Sequence, residues 1–207
     1  MSQSDQSVNA FQFRIVLRRT SPHLWRRVLV GSDSSLAQLH QVVQALFGWT
    51  DSHLHRFVVR GRSLGASSTA SAATLPAAEV RLSEFKLLLK ERFFYDYHCH
   101  DVDAPIWRHE IRLEKSLVAD PERVPRCIGG VGNPPLEQSG SPRELSTLAE
   151  LFTPQFVLRQ LTELVDREAN DAQLAQHLRH LRPWLTADRF SRKQGNLRLQ
   201  AGLAGAR

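Results

Sequence analysis

The sequence contains only two cysteines, Cys99 and Cys127. That is too few for the stapled frameworks of small secreted domains, so free thiols in a reducing compartment are expected. No eighteen apolar residues run together, which argues against a membrane-spanning helix. The opening residues, MSQSDQSVNA, lack a basic start followed by an apolar run. No signal peptide is therefore read, and a cytoplasmic location without membrane contact is expected. The sequence also lacks a Gly-x-Ser-x-Gly nucleophile turn and the paired-cysteine or His-Glu-x-x-His spacings of strong metal motifs. No cofactor is expected, and whether the chain is an enzyme is not legible from its residues.

With 207 residues, 42% of them hydrophobic, the chain can bury most of its apolar surface as one domain without a disulfide or metal. Its net charge of +6 is unevenly placed. Residues 1–62 carry eight Lys/Arg against three Asp/Glu, residues 63–153 ten against thirteen, and residues 154–207 nine against five. Basic ends around an acidic middle predict either attraction to a polyanion or docking of the ends on the middle. No recognised nucleic-acid motif accompanies the charge.

The pattern of elements starts with a strand. Phe11, Phe13, Ile15 and Leu17 alternate with Gln12, Arg14, Val16 and Arg18, the period of two of a half-buried strand. Thr20-Ser21-Pro22 breaks it, and Trp25–Val30 is expected to return antiparallel. Ser35 and Gln38 make a capping box, and Leu36, Leu39, Val42, Val43, Leu46 and Phe47 recur at helical intervals up to Gly48. Further strands are predicted at Leu54–Val59, Phe93–Tyr97 and Ile106–Leu113. In the last of these, Trp107, His109, Ile111 and Leu113 share one face.

Residues 62–79 read as a mobile loop of small and polar residues. The stretch from Asp120 to Arg143 is rich in proline and glycine and reads as irregular. Helical spacing then returns at Leu145–Phe152. It continues behind Thr153-Pro154, with Val157, Leu161, Leu164 and Val165 turned inward. A third helix is expected behind Asn170, carrying Leu174, Leu178 and Leu181 and ended by Pro183. Strands first and helices last give an α+β fold, a mostly antiparallel sheet backed by an amphipathic helix with a helical C-terminal third. The expected divisions are a disordered N-terminus over 1–10, a core over 11–143, helices packed on it over 144–190 and a basic tail over 191–207 that frays.

Several blocks together carry a resemblance. They are Pro22–Val30, then Leu39-His40 with Gly48-Trp49, then Ser52–Phe57. Tyr95-Asp96-Tyr97, Trp107–Ile111, Pro125-Arg126-Cys127 with Pro134-Pro135, and the late Phe190 and Asn196 add to them. As a set they resemble the plasmid pRiA4b ORF-3-like family, also labelled transposon-passenger proteins. The resemblance implies an α+β domain and an association with mobile elements, and it implies no established activity. The sequence departs from the family pattern after Tyr97, where His98–Pro105 replaces a Gly-Asp turn. It departs again around the double proline, where Asn133, Leu136 and Glu137 stand in place of further cysteines and an acidic pair.

Five groups of residues invite chemistry, the first being the histidines His53, His55, His98, His100 and His109. His53 with His55, and His98 with His100, are two apart, so on a strand each pair would present both imidazoles on one side. Zinc or a similar ion would accept them, with Cys99, Asp101 or Asp96 nearby in sequence. The dull alternative is hydrogen-bonded strand and loop histidines. Tyr95, Asp96, Trp107 and His109 would place a carboxylate beside an imidazole if their strands pair, half of an acid–base arrangement or an ordinary structural contact. Cys127 stands before Gly129-Gly130, which would open it to solvent, with nothing nearby to lower its pKa. Trp25-Arg26-Arg27 reads as a core tryptophan flanked by arginines on opposite faces, or as a clamp for an anion or peptide. The tail arginines Arg189, Arg192 and Arg198, with Lys193, would follow a phosphate backbone or simply be solvated.

These readings converge on a non-enzymatic binding or accessory module linked to mobile elements, with an unidentified ligand or protein partner. Its ligand-binding residues would be Arg26, Trp49, His53, His55, Asp96 and His109 on the sheet's polar face. The competing readings are a metal-dependent hydrolase using clustered histidines and a weak nucleic-acid-binding protein.

Overall fold

A computed structural model describes residues 7–21, 23–65, 79–98, 106–135, 137, 142–166, 172–173, 175–176, 178–179 and 189–204. The strands are β1 (Val8–Leu17), β2 (Leu24–Gly31), β3 (His55–Val59), β4 (Arg62–Leu64), β5 (Arg92–His98), β6 (Ile106–Ala119) and β7 (Arg126–Val131). Helical spacing becomes α1 (Leu36–Phe47), α2 (Pro142–Leu151) and α3 (Pro154–Asp166), and a fourth helix, α4, spans Arg192–Ala204. The strands form one seven-stranded sheet in the order β4-β3-β5-β6-β1-β2-β7, with every neighbouring pair antiparallel. The fold is α+β, as the order of elements predicts.

Helix α1 forms where its caps say it should. The Ser35 side chain accepts from the Gln38 backbone N–H, the Gln38 side chain accepts from the Ser35 N–H, and Gly48 closes the helix at φ 67°. Its apolar stripe of Leu36, Leu39, Val42, Val43, Leu46 and Phe47 is buried against one face of the sheet. That face contributes Phe13, Ile15 and Leu17 from β1, Val28 from β2, Phe57 from β3, and Trp107, Ile111 and Leu113 from β6. Burial of these large side chains, at roughly 1.5–3 kcal/mol each, holds helix and sheet together. The pleat turns the next residues in each strand to the other face.

Some expectations need correction. The stretch from Asp120 to Arg143 is not all irregular, because Arg126–Val131 is strand β7 on β2. Strand β6 runs on to Ala119 through a register shift opposite Gln12 and Phe13. Residues 8–10 already belong to β1. Residues 62–64 of the expected loop are strand β4, while 66–78 lie outside the described residues. Val157 is buried, but Val165 is 71% exposed and does not point inward.

The tail, expected to fray, is helix α4, capped by Ser191 and laid against α1 and β7. Leu199 is its buried anchor, and at Gly195 it lies beside Leu46 and Phe190. Of the expected third helix, Asn170, Leu174, Leu181 and Pro183 lie outside the described residues, as do Cys99, His100 and Asp101.

Candidate functional site

The face of the sheet under α1 collects most of the residues singled out in the sequence. Arg26 on β2 is fully buried. Its guanidinium donates to the carbonyls of Trp25 and Val131 at 2.8 Å, Gly132 at 2.9 Å and Leu46 at 3.4 Å, and it lies over the rings of Phe47 and Phe190. Burial lowers its pKa to about 10, still well above neutrality. Arg26 is thus a staple between β2, the end of β7 and the C-terminus of α1, where helix carbonyls favour a cation.

Trp49 stacks on Tyr97 and donates its indole N–H to the Pro135 carbonyl at 3.0 Å. His109 is enclosed by Phe47, Trp49 and Tyr95, and among the described residues neither ring nitrogen has an aligned hydrogen-bond partner. Burial pushes its pKa down to about 3, so it stays neutral. Cys127 is also buried, which raises its thiol pKa, and its backbone is bonded to Asn196. It is not an open nucleophile.

Beside this core a polar cluster reaches the surface. His40 on α1 stacks on His55 of β3 at 3.6 Å between ring centroids. Its Nδ1 lies 2.8 Å from the Tyr95 hydroxyl, and its Nε2 lies 2.8 Å from Asp51 Oδ1. Gln44, one helical turn beyond His40, donates to the same hydroxyl at 2.8 Å and accepts from the Asp51 backbone N–H at 3.2 Å. Burial lowers the pKa of both imidazoles. For His55 the neighbouring His40 adds to burial, and the value falls to about 4. Next to the cluster, Glu137 accepts from Tyr97, from the Thr50 backbone and hydroxyl, and from Ser52, fixing the turn that carries Asp51. His53 packs edge-on against Tyr97.

The opposite face of the sheet has a different chemistry. Asp96 points there and takes both Arg108 (2.7 and 2.9 Å) and Arg56 (3.1 Å). Burial opposes its charge, yet the two guanidinium groups outweigh burial and hold the carboxyl below the usual range. Glu110 takes Arg18 at 3.1 Å and Arg92 at 3.6 Å. Glu114 takes Arg27 at 2.5 Å, Gln12 at 2.8 Å and Arg112 at 3.6 Å. Chiefly because of Arg27, its pKa falls to about 2.

The register explains this concentration of charge. Arg92 pairs with Arg112, Arg112 with Arg14, and Arg14 with Arg27, so these arginines form one rung across β5, β6, β1 and β2. The register shift in β6 leaves Glu114 as an extra residue and turns it and Lys115 to this same side. A groove of about 420 Å³ results, lined by Gln12, Arg27, Lys90, Arg112, Glu114 and Lys115.

The six residues expected to line one polar face therefore do not meet there. Arg26, Trp49, His55 and His109 lie on the helix-covered side, with His53 beside Tyr97, and all but His53 and His55 are deeply buried. Asp96 lies across the sheet from His109, because adjacent positions in a strand face opposite ways and His109 pairs with Tyr95. The carboxylate thus orients arginines and not the imidazole. Of the expected histidine pairs, His100 and the His98 side chain lie outside the described residues. His55 meets His40 from the helix, a partner that spacing two apart in one strand does not reveal. The arginine rung was legible only in part. Alternation assigns Arg14, Arg108 and Arg112 to the polar face, but their alignment needs the strand order.

No helix among the described residues is long and apolar enough to cross a membrane. In comparisons with known proteins, the model of the family described as plasmid pRiA4b ORF-3-like protein matches residues 9–173. Uncharacterized protein y4hQ of Sinorhizobium fredii (strain NBRC 101917 / NGR234) is 30% identical over 133 residues. The match covers 63% of this chain and 66% of that protein, just under two thirds of its length. Among solved structures, the protein of unknown function MM3350 from Methanosarcina mazei Go1 superposes with a TM-score of 0.66 at 22% identity. That match covers 92% of this chain and 98% of the other, a likeness of fold. With the family model spanning most of the chain, this protein belongs to the plasmid pRiA4b ORF-3-like family.

Proposed function

We propose that the protein is a non-enzymatic binding module whose ligand is a phosphate polyanion, nucleic acid above all, held on the open face of the sheet. The observation that carries this reading is the rung Arg92–Arg112–Arg14–Arg27. Like charges set directly opposite each other on a sheet repel by roughly 0.2–1 kcal/mol a pair. The carboxylates present relieve only part of this, since Glu110 and Glu114 are each shared between two arginines. A chain of phosphates would relieve the rest, and guanidinium groups suit phosphate oxygens geometrically.

The rung covers three interstrand steps of about 4.8 Å, roughly 14 Å in all, a length over which a nucleic-acid strand presents several phosphates. Trp25 and Phe94, both half-buried on this face beneath arginines, add flat surfaces of the kind that bases stack on. Lys90 and Lys115 extend the positive groove. An accessory role alongside mobile elements accords with the plasmid in the family's name.

The test is fluorescence anisotropy of labelled single-stranded and duplex oligonucleotides with the full chain and with the variant Arg92→Gln/Arg112→Gln. Both arginines are the more distant partners of their carboxylates, so the variant should fold. The expected result is a dissociation constant on the order of micromolar for the wild type, weakened about tenfold or more in the variant. Equal affinity in both proteins would refute the assignment of this face.

A further inference from the structure

We infer that His40, Asp51 and His55 form a binding site for one divalent transition-metal ion of the zinc class, on the side of the sheet away from the arginine rung. One donor atom from each residue lies within 4.8 Å of the others. Ligands around a four-coordinate zinc stand about 3.4 Å apart, given bonds of about 2.1 Å, so small side-chain movements complete the set. Two imidazoles and a carboxylate are a donor set that borderline divalent ions accept, and three protein ligands leave positions for water.

Two further observations separate this cluster from an ordinary histidine–aspartate contact. The first is His40 Nε2, which is buried and among the described residues has no aligned hydrogen-bond partner, its near neighbour being Asp51 Oδ1 at 2.8 Å. A carboxylate that close but poorly aligned is at best a weak hydrogen-bond acceptor for the ring nitrogen. Two lone-pair donors converging at such a distance are what flank a shared cation. The second is the backbone of Asp51, a non-glycine residue at φ 58°. With its backbone N–H donated to Gln44, this turn holds the Asp51 carboxylate beside His40.

The outer partners are those a ligated histidine needs. Tyr95 Oη lies 2.8 Å from His40 Nδ1, in place to accept its proton and leave the Nε2 lone pair to the ion. Gln44 then fixes both the Tyr95 hydroxyl and the Asp51 backbone. A ring nitrogen binds metal in the plane of its ring, so the stacked rings cannot both ligate without one of them tilting. His55 is the ring to tilt, because His40 is buried and held by Tyr95 while His55 is only partly buried.

The experiment is a titration of the chelator-treated full chain with Co²⁺, followed by its visible absorption, with Zn²⁺ as competitor. The expected result is saturation at one equivalent and displacement by Zn²⁺. Asp51→Asn and His55→Gln should each bind more than about tenfold more weakly, while His98→Asn/His100→Asn binds as the wild type does. Asparagine tolerates left-handed backbone, so Asp51→Asn keeps the turn and isolates the ligand. Circular dichroism of each variant separates lost binding from lost fold. Absence of saturable Co²⁺ binding, unchanged binding in the folded Asp51→Asn protein, or loss confined to the His98/His100 variant would each overturn the site.

Discussion

Arg14 and Arg27 are direct partners across β1 and β2, and both guanidinium groups lie over the indole of Trp25, at 4.8 and 5.3 Å from its centroid. The ring attracts each cation by roughly 0.5–1 kcal/mol and so lets them stand together. Arg27 has Glu114 as well, whereas among the described residues the Arg14 Nε is buried without a partner. The open face therefore carries cationic capacity beyond what its own carboxylates use.

Glu114 gives the sharpest separation of stability from binding. Its pKa of about 2, set first by Arg27, means that its contribution is complete above about pH 4.5 and is lost as the pH falls towards 2. Discounted for solvent screening, that contribution is about 1–2 kcal/mol. Glu114→Gln should be less stable by this amount at pH 7 in urea denaturation, with the difference closing in acid. The same substitution removes the one carboxylate lining the groove, so polyanion affinity should rise.

Arg26 ties carbonyls at the end of β7 and of the α1 C-terminus to β2. Arg26→Met would remove the donor to the buried carbonyls of Leu46 and Gly132 and to the carbonyl of Val131 at the rim. A loss of about 3–5 kcal/mol is expected from the shift of the denaturation midpoint. Because Arg26 faces away from the arginine rung, oligonucleotide affinity of the folded fraction should be unchanged.

Asn196 fastens α4 to β7 through both of its amide atoms, accepting from the Cys127 N–H at 2.8 Å and donating to the Cys127 carbonyl at 2.9 Å. Asn196→Ala should cost about 1–3 kcal/mol. Hydrogen exchange should show earlier opening of 192–204 than of α1.

His109 predicts an acid-side slope in stability. In the unfolded chain its imidazole takes up a proton as the pH drops through 6.5, while the folded value of about 3 refuses it. Stability is complete above pH 6.5 and falls progressively towards pH 3, by several kcal/mol in total. His109→Leu, close in volume and without buried polar atoms, should flatten this slope. Denaturation series from pH 7 to 4 would show it, the remaining slope coming from His40 and His55.

Local chemistry made α1 legible, since Ser35, Gln38, Gly48 and the apolar stripe all point to one helix. Alternation likewise placed Trp107, His109, Ile111 and Leu113 on one face. Strand β7 was hidden because Gly129-Gly130 reads as a turn. At Gly130 the real constraint is tertiary: a Cβ would come within 2.9 Å of the Trp25 carbonyl oxygen and 3.0 Å of Arg26 Cδ. Helix α4 was hidden because it docks with few apolar residues, chiefly Leu199, while Leu197 is half-exposed. The His40–Asp51–His55 cluster and the arginine rung join residues from separate elements, and only strand order and backbone geometry bring these together. Periodicity cannot show either.

The most direct measurement is the salt dependence of oligonucleotide binding by the wild-type chain. If the arginine rung holds phosphates, log affinity should fall linearly with log salt. The slope should be about −3 to −4 for duplex DNA, near −0.9 for each phosphate neutralised. A flat dependence from low to high salt, or no detectable binding even at low salt, would contradict the account.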